Sequence, residues 1–188
     1  MTVVEPVRDR PRETALSIVV SEADALVAGF RNRFLTHTVA RKIPPHVTLL
    51  YPFVDADLLD AGLIARLEVL YAPVEPFAFE LAHVDRFPAH VWLAPEPRDR
   101  FVDLIRLTCA HFPDNLPYGG LFADSEPRPH LTIGEANVDM GIDDLAAEAN
   151  RTVGPGLPLP CTARTVSLLE EQPDGTWASR AELALAGA

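Results

Sequence analysis

The stretch Pro45-His46-Val47-Thr48-Leu49 returns 84 residues later as Pro129-His130-Leu131-Thr132-Ile133. Both copies read Pro-His-apolar-Thr-apolar, the alternation of a strand with one buried face. Residues i and i+2 of a strand point to the same side. Each copy therefore shows an imidazole and a hydroxyl to one face and buries Val47 and Leu49, or Leu131 and Ile133, on the other. Two such strands side by side would collect two histidines and two threonines, a cluster able to move protons and hold an anion without a metal. Composition alone yields about 0.35 His-x-Thr triplets, so two with matching flanks carry information. The match runs on: Val54-Asp55 and Val138-Asp139 each begin eight residues after the motif histidine, and each precedes a helix-like stretch. The chain reads as a degenerate internal repeat with one motif in each half.

Composition sets the frame. At 188 residues, with nine Phe and about half the residues apolar, the chain can bury a proper core as one domain of two similar lobes. Met1 to Glu13, with Arg8, Arg10 and Arg12, reads as a flexible leader, and residues 14–188 as the single two-lobed domain. No N-terminal apolar run has a basic flank and no stretch approaches the ~18 apolar residues of a membrane span, so a cytoplasmic protein without a membrane partner is expected. Cys109 and Cys161 are expected to be reduced core thiols. The net charge of −11 argues against tight binding to long nucleic acid, which needs a basic surface, but leaves room for a small nucleotide in a local pocket. A monomer is expected.

Periodicity supplies the elements. Thr14 to Val20 reads as a buried strand, and Ser21 as the N-cap of an amphipathic helix carrying Ala23, Leu26, Val27, Phe30 and Phe34. Val47 to Tyr51 is the first motif strand, and Asp57 to Leu70 a helix with Leu59, Leu63, Leu67 and Leu70 on one face. Phe77 to Val84 and His90 to Ala94 read as strands around a turn at Pro88; Trp92 reads as core. Arg98 to Phe112 and Ile142 to Asn150 read as helices, with the second motif strand, Leu131 to Gly134, between them. Thr162 to Leu169 and Trp177 to Leu185 read as a hairpin turning at Pro173-Asp174-Gly175. Strands joined by short turns, without a Gly-rich βα turn, predict an α+β fold of mainly antiparallel sheets. The 17 residues from Pro113 to Pro129 hold no obvious element and lead into the second histidine, which marks them as a rim or lid.

The pair of motifs resembles the 2H phosphoesterase superfamily, in particular the bacterial 2′-5′ RNA ligase-like (LigT-like) proteins and cyclic phosphodiesterases. The resemblance rests on His46-Val47-Thr48-Leu49-Leu50-Tyr51-Pro52-Phe53 and on Pro117-Tyr118-Gly119-Gly120 followed by Pro129-His130-Leu131-Thr132. It spans roughly Thr14 to the end and implies two sheet-based lobes, related by a pseudo-two-fold, around a central cleft that receives one motif strand from each. Many relatives carry a basic residue a few positions after the second motif. Here Ile133 is followed by Gly134 and Glu135, which favours a small nucleotide over a polyanionic RNA end.

The chemistry fits that resemblance. In-line attack on a phosphodiester needs a base on one side of phosphorus and an acid on the other, and histidine serves either role near neutral pH. His46 and His130 are the candidate catalytic pair. Thr48 and Thr132 are candidate phosphate-binding donors to the non-bridging oxygens, where charge grows. Zinc takes three or four ligands, often closely spaced on one element. The chain has no His-Glu-x-x-His, no Cys-x-x-Cys and no acid within either motif, so neither a metal nor another cofactor is expected. Tyr51, Tyr118 and Phe122 are candidate base-stacking residues, and Arg128 a candidate phosphate contact. The resemblance implies opening of a 2′,3′-cyclic phosphate or a related 2′-linked diester of a nucleotide or RNA end. The reverse reaction, with a 5′-hydroxyl in place of water, would join RNA ends. A non-catalytic nucleotide- or RNA-binding module is the alternative of another class.

Overall fold

The run Thr14–Val19 forms β1, and alternation sorts its side chains: Leu16 and Ile18 enter the core, while Ala15, Ser17 and Val19 face the other way. The computed structural model describes residues 10–120 and 126–186. β1 lies between β2 (His46–Leu50) and β7 (Thr165–Glu171), and β8 (Trp177–Ala184) completes an antiparallel sheet of order β2-β1-β7-β8. A second antiparallel sheet has the order β5-β4-β3-β6, from Leu131–Glu135, His90–Glu96, Phe77–Arg86 and Leu159–Ala163. Each motif strand is the edge of its sheet, beside the strand that precedes it by one long helix.

That helix does not stay with its own sheet. α1 (Asp24–Phe34), between β1 and β2, packs against β5; α4 (Arg98–His111), between β4 and β5, packs against β2. α3 (Ala61–Tyr71) lies along β8, and α5 (Ile142–Thr152) along β3 and β4. Gly134 lets α1 approach β5: a Cβ there would stand 2.8 Å from Cε1 of Phe30 and 3.3 Å from Cβ of Phe34. One continuous apolar cluster joins the lobes, with Phe101 edge-on to Phe77 and Phe79 at 5.2 and 5.0 Å. The Tyr71 hydroxyl meets Thr108 Oγ1 at 2.8 Å and ties α3 to α4 inside it.

Several sequence expectations need correction. The predicted helix over 57–70 is two pieces, a 3₁₀ turn Ala56–Leu58 and then α3, because Asp60 accepts from Leu63 N at 2.7 Å and starts the helix afresh. Ser21 does not cap α1: it opens a 3₁₀ turn, Ser21–Ala23, and α1 begins from Ala23 without a side-chain cap. A short α2 (Thr36–Ala40) is present where none was expected. The predicted strand 162–169 divides at Arg164, its first part being the end of β6 in one sheet and the rest β7 in the other. The β7–β8 turn does fall at Gly175, whose φ of 87° suits glycine. At the end of the predicted leader, Arg10 pairs with Glu171 at 2.8 Å, Arg12 pairs with Glu170 at 2.9 Å, and Glu13 O accepts from Glu171 N. Among the described residues, no helix is long and apolar enough to cross a membrane.

Candidate active site

The two motif strands, edges of different sheets, pack against each other, and this contact brings the motifs together. Their burial patterns match residue for residue. His46 and Thr48 are half-buried while Val47, Leu49 and Leu50 are buried; His130 and Thr132 are half-buried while Leu131, Ile133 and Gly134 are buried. The double burial after each threonine has one cause. The ladder between β1 and β2 slips after Leu16↔Leu50, so that Ser17 faces Thr48; the ladder between β4 and β5 slips after Val91↔Gly134, so that Trp92 faces Thr132. Leu49 and Ile133 are the extra residues of two equivalent β-bulges.

Both imidazoles are held in the same way. His46 Nδ1 donates to the Pro44 carbonyl at 2.8 Å, and His130 Nδ1 donates to the Arg128 carbonyl at 2.7 Å. A carbonyl only accepts, so each Nδ1 carries the hydrogen and the neutral ring keeps its lone pair on Nε2. Burial pushes the His46 pKa down to about 4; the Pro44 hydrogen bond opposes this, while the Arg31 cation and the neighbouring His130 add to it. His130 thus lies within electrostatic reach of His46. His130 is also lowered, first by burial, against the Arg128 hydrogen bond and with a contribution from His90.

These shifts have a signed consequence for stability. Unfolded histidine charges near pH 6.5, whereas folded His46 resists protonation down to about 4. Between those values the unfolded chain binds protons that the fold refuses, so stability is present above about pH 6.5 and lost as the pH falls toward 4. Thermal unfolding followed by circular dichroism is expected to lose less stability across this window in His46→Gln than in the wild type. A variant that tracks the wild type throughout contradicts the assignment.

Around the pair stand residues that the sequence reading did not single out. Phe87 sits edge-on to His130 at 4.9 Å and stacks on Trp92 at 5.1 Å, and Trp92 lies 5.9 Å from His130. Trp92 is buried as expected, but it lies beside the second histidine. Arg31 is 7% exposed on the apolar side of α1; its Nη2 donates to the Ile43 carbonyl at 2.7 Å, and its Nε has no partner. The signal for Arg31 was a charge at a position the helical period reserves for apolar residues, four after Val27. For Ser17 it was one hydroxyl in an apolar run.

A family profile described as the 2′-5′ RNA ligase superfamily matches residues 19–175. The chain belongs to that superfamily, the 2H phosphoesterases. Solved structures with the same fold include Escherichia coli LigT complexed with 3′-AMP, 14% identical, with a TM-score of 0.58, covering 94% of this chain and 99% of that one. LigT complexed with ATP is also 14% identical, with a TM-score of 0.57 and the same coverage. The TT0787 protein of Thermus thermophilus is 16% identical, with a TM-score of 0.57, covering 93% of this chain and 98% of that one. No curated protein matches the sequence.

The remaining expected site residues of this superfamily member fall out unevenly. Tyr51 follows β2; its hydroxyl donates to Glu13 at 2.9 Å and its ring lies 6.2 Å from Trp177, in an apolar patch with Val19 and Ile43. Burial, with Glu13, pushes the Tyr51 phenol up to about 12. Arg128 is exposed, and the contact it makes with the site is its carbonyl's bond to His130. Tyr118 lies in a 3₁₀ turn, Pro117–Gly120, with its side chain outside the described residues, and Phe122 is outside them altogether. Glu135 stands between His37 and His90, at 3.6 and 3.8 Å. Among the described residues, no group of three His, Cys, Asp or Glu is placed to hold a metal ion. A cavity of about 350 Å³ lined by Val74, Phe77, Arg100, Asp103 and Leu104 contains no motif residue.

Proposed function

We propose that this chain is a metal-independent phosphodiesterase that opens a 2′,3′-cyclic phosphate, or cleaves a related 2′-linked diester, of a small nucleotide or RNA end. The observation that carries the reading is the matched pair of half-buried imidazoles, each with Nδ1 fixed to a carbonyl and Nε2 left for chemistry. His46 is the base: burial and the Arg31 cation keep it neutral at pH 7. Its Nε2 takes a proton from water as the new P–O bond forms. His130, on which the Arg31 cation does not bear, gains a proton when an anionic phosphate enters, and Nε2 delivers it to the departing ribose oxygen as that P–O bond breaks. Thr48 and Thr132 donate to the non-bridging oxygens, and buried Arg31 offsets the negative charge. The net charge of −11 supports a small substrate. So do the ligands of its structural relative LigT, crystallised with 3′-AMP, ATP and phosphate.

The test is a panel of 2′,3′-cyclic nucleotides, 2′-5′ dinucleotides and half-tRNAs, assayed across pH with and without prolonged EDTA treatment. The expected result is hydrolysis of a cyclic nucleotide with a bell-shaped pH profile, unchanged in height and position by the chelator. The two apparent pKa values belong to the coupled pair. Activity lost in EDTA and restored by zinc or manganese would reassign His46 and His130 as metal ligands.

A further inference from the structure

Five buried side-chain donors among the described residues have no acceptor: Ser17 Oγ, Arg31 Nε, Trp92 Nε1, Arg98 Nε and Trp177 Nε1. Buried polar groups in folded proteins nearly always have a partner, so each orphan calls for a reason. Two of the five occupy equivalent places. Ser17 on β1 faces Thr48 across the ladder, and Trp92 on β4 faces Thr132. Both sit at the slip in register, where a bulge turns the facing side chains. Cross-strand partners share a face, so each orphan lies on the side of its sheet that carries a motif histidine and threonine. Ser17 is 1% exposed and Trp92 8% exposed, so a ligand would reach them through the half-buried threonines that face them rather than from solvent.

We infer that Ser17 and Trp92 are positioning residues of the anion site, each supplying a hydrogen bond to the hydroxyl oxygen of the motif threonine opposite. A threonine hydroxyl has one hydrogen and two lone pairs, and indole N–H can only donate. When a phosphate docks, Thr132 turns its hydrogen to the anion and presents a lone pair to Trp92, which has no other use for its hydrogen. Ser17 does the same for Thr48, the hydroxyl that faces it on β2. The orphan donors are thus satisfied in the bound state, and both threonines are committed as donors. This inference rests on the two motifs forming one phosphate site, as proposed above.

The experiment is a double-mutant cycle on the full chain, read by titration with inorganic phosphate and by hydrolysis of 2′,3′-cyclic AMP. Ser17→Ala and Trp92→Phe are each expected to weaken phosphate binding roughly 3- to 20-fold, the scale of one hydrogen bond. In a Thr48→Val background Ser17→Ala should add nothing, and in a Thr132→Val background Trp92→Phe should add nothing. A purely structural residue would weaken binding equally in both backgrounds, and that result overturns the inference. So does wild-type affinity in both single variants, or a wild-type chain that does not bind phosphate. If the cycles couple but no cyclic phosphate is hydrolysed, the inference stands and the phosphodiesterase reading falls. If histidine variants abolish hydrolysis while Ser17→Ala and Trp92→Phe bind normally, the reading stands and the inference falls.

Discussion

His46→Ala and His130→Ala are each expected to lower turnover of a 2′,3′-cyclic nucleotide by roughly 10²–10⁴-fold, the scale of a lost general acid or base. The double variant should be little worse than the poorer single, because base and acid serve one displacement. A nitrophenyl phosphodiester separates the roles. Its leaving group departs without a proton, so His130→Ala should keep most of its activity on that substrate while His46→Ala loses it on both. Thr48→Val and Thr132→Val should cost less than the histidine losses, up to about 2–4 kcal/mol of barrier as lost oxyanion donors. Full activity in the double histidine variant would place the chemistry elsewhere, and equal losses on the activated substrate would undo the division of roles.

Gly134→Val is expected to destabilise the protein by about 1–3 kcal/mol through overpacking, and to depress turnover as well. A Cβ at 134 would meet the buried Phe30 ring at 2.8 Å, Phe34 Cβ at 3.3 Å and Leu145 at 3.5 Å, and valine adds two methyl groups to that crowd. α1 must move off β5, the strand that carries Thr132 and follows His130 directly. Gly141→Ala is the control: nothing lies within 4 Å of its Cβ, and its change should stay within about 0.5 kcal/mol. Chemical denaturation of both variants with parallel kinetics decides the matter. A Gly134→Val protein as stable and active as wild type would mean that the α1–β5 seam is slack.

The motif strands were legible because alternation is local: the residues that follow each motif proline state which side is wet. Element boundaries failed where the governing fact was a single hydrogen bond or a distant partner. Leu59 to Leu70 keeps its apolar period straight through Asp60, and the Asp60 cap divides it. Nothing within residues 162–169 tells which sheet each residue joins, because β6 and β7 both read as apolar strand. The site was half legible for the same reason. His46, Thr48, His130 and Thr132 announce themselves by repetition. Ser17, Phe87 and Trp92 reach the site only through register with a neighbouring strand or through the turn beside it, and Arg31 reaches it through helix packing, none of which one segment encodes. Both bulges were invisible too, since an extra residue in one strand is defined only against its partner.

The exchanged helices make the site a caliper with a fixed gauge. Because α1 leans on β5 and α4 on β2, neither half of the chain can swing outward without withdrawing its own long helix from beneath the other half's motif strand. The separation of the two imidazoles is therefore settled during folding, when the ordering entropy of both strands is lost once and for all. A substrate of the proposed reaction would then meet two imidazoles already placed by the fold, and none of its binding energy would go into closing the jaws.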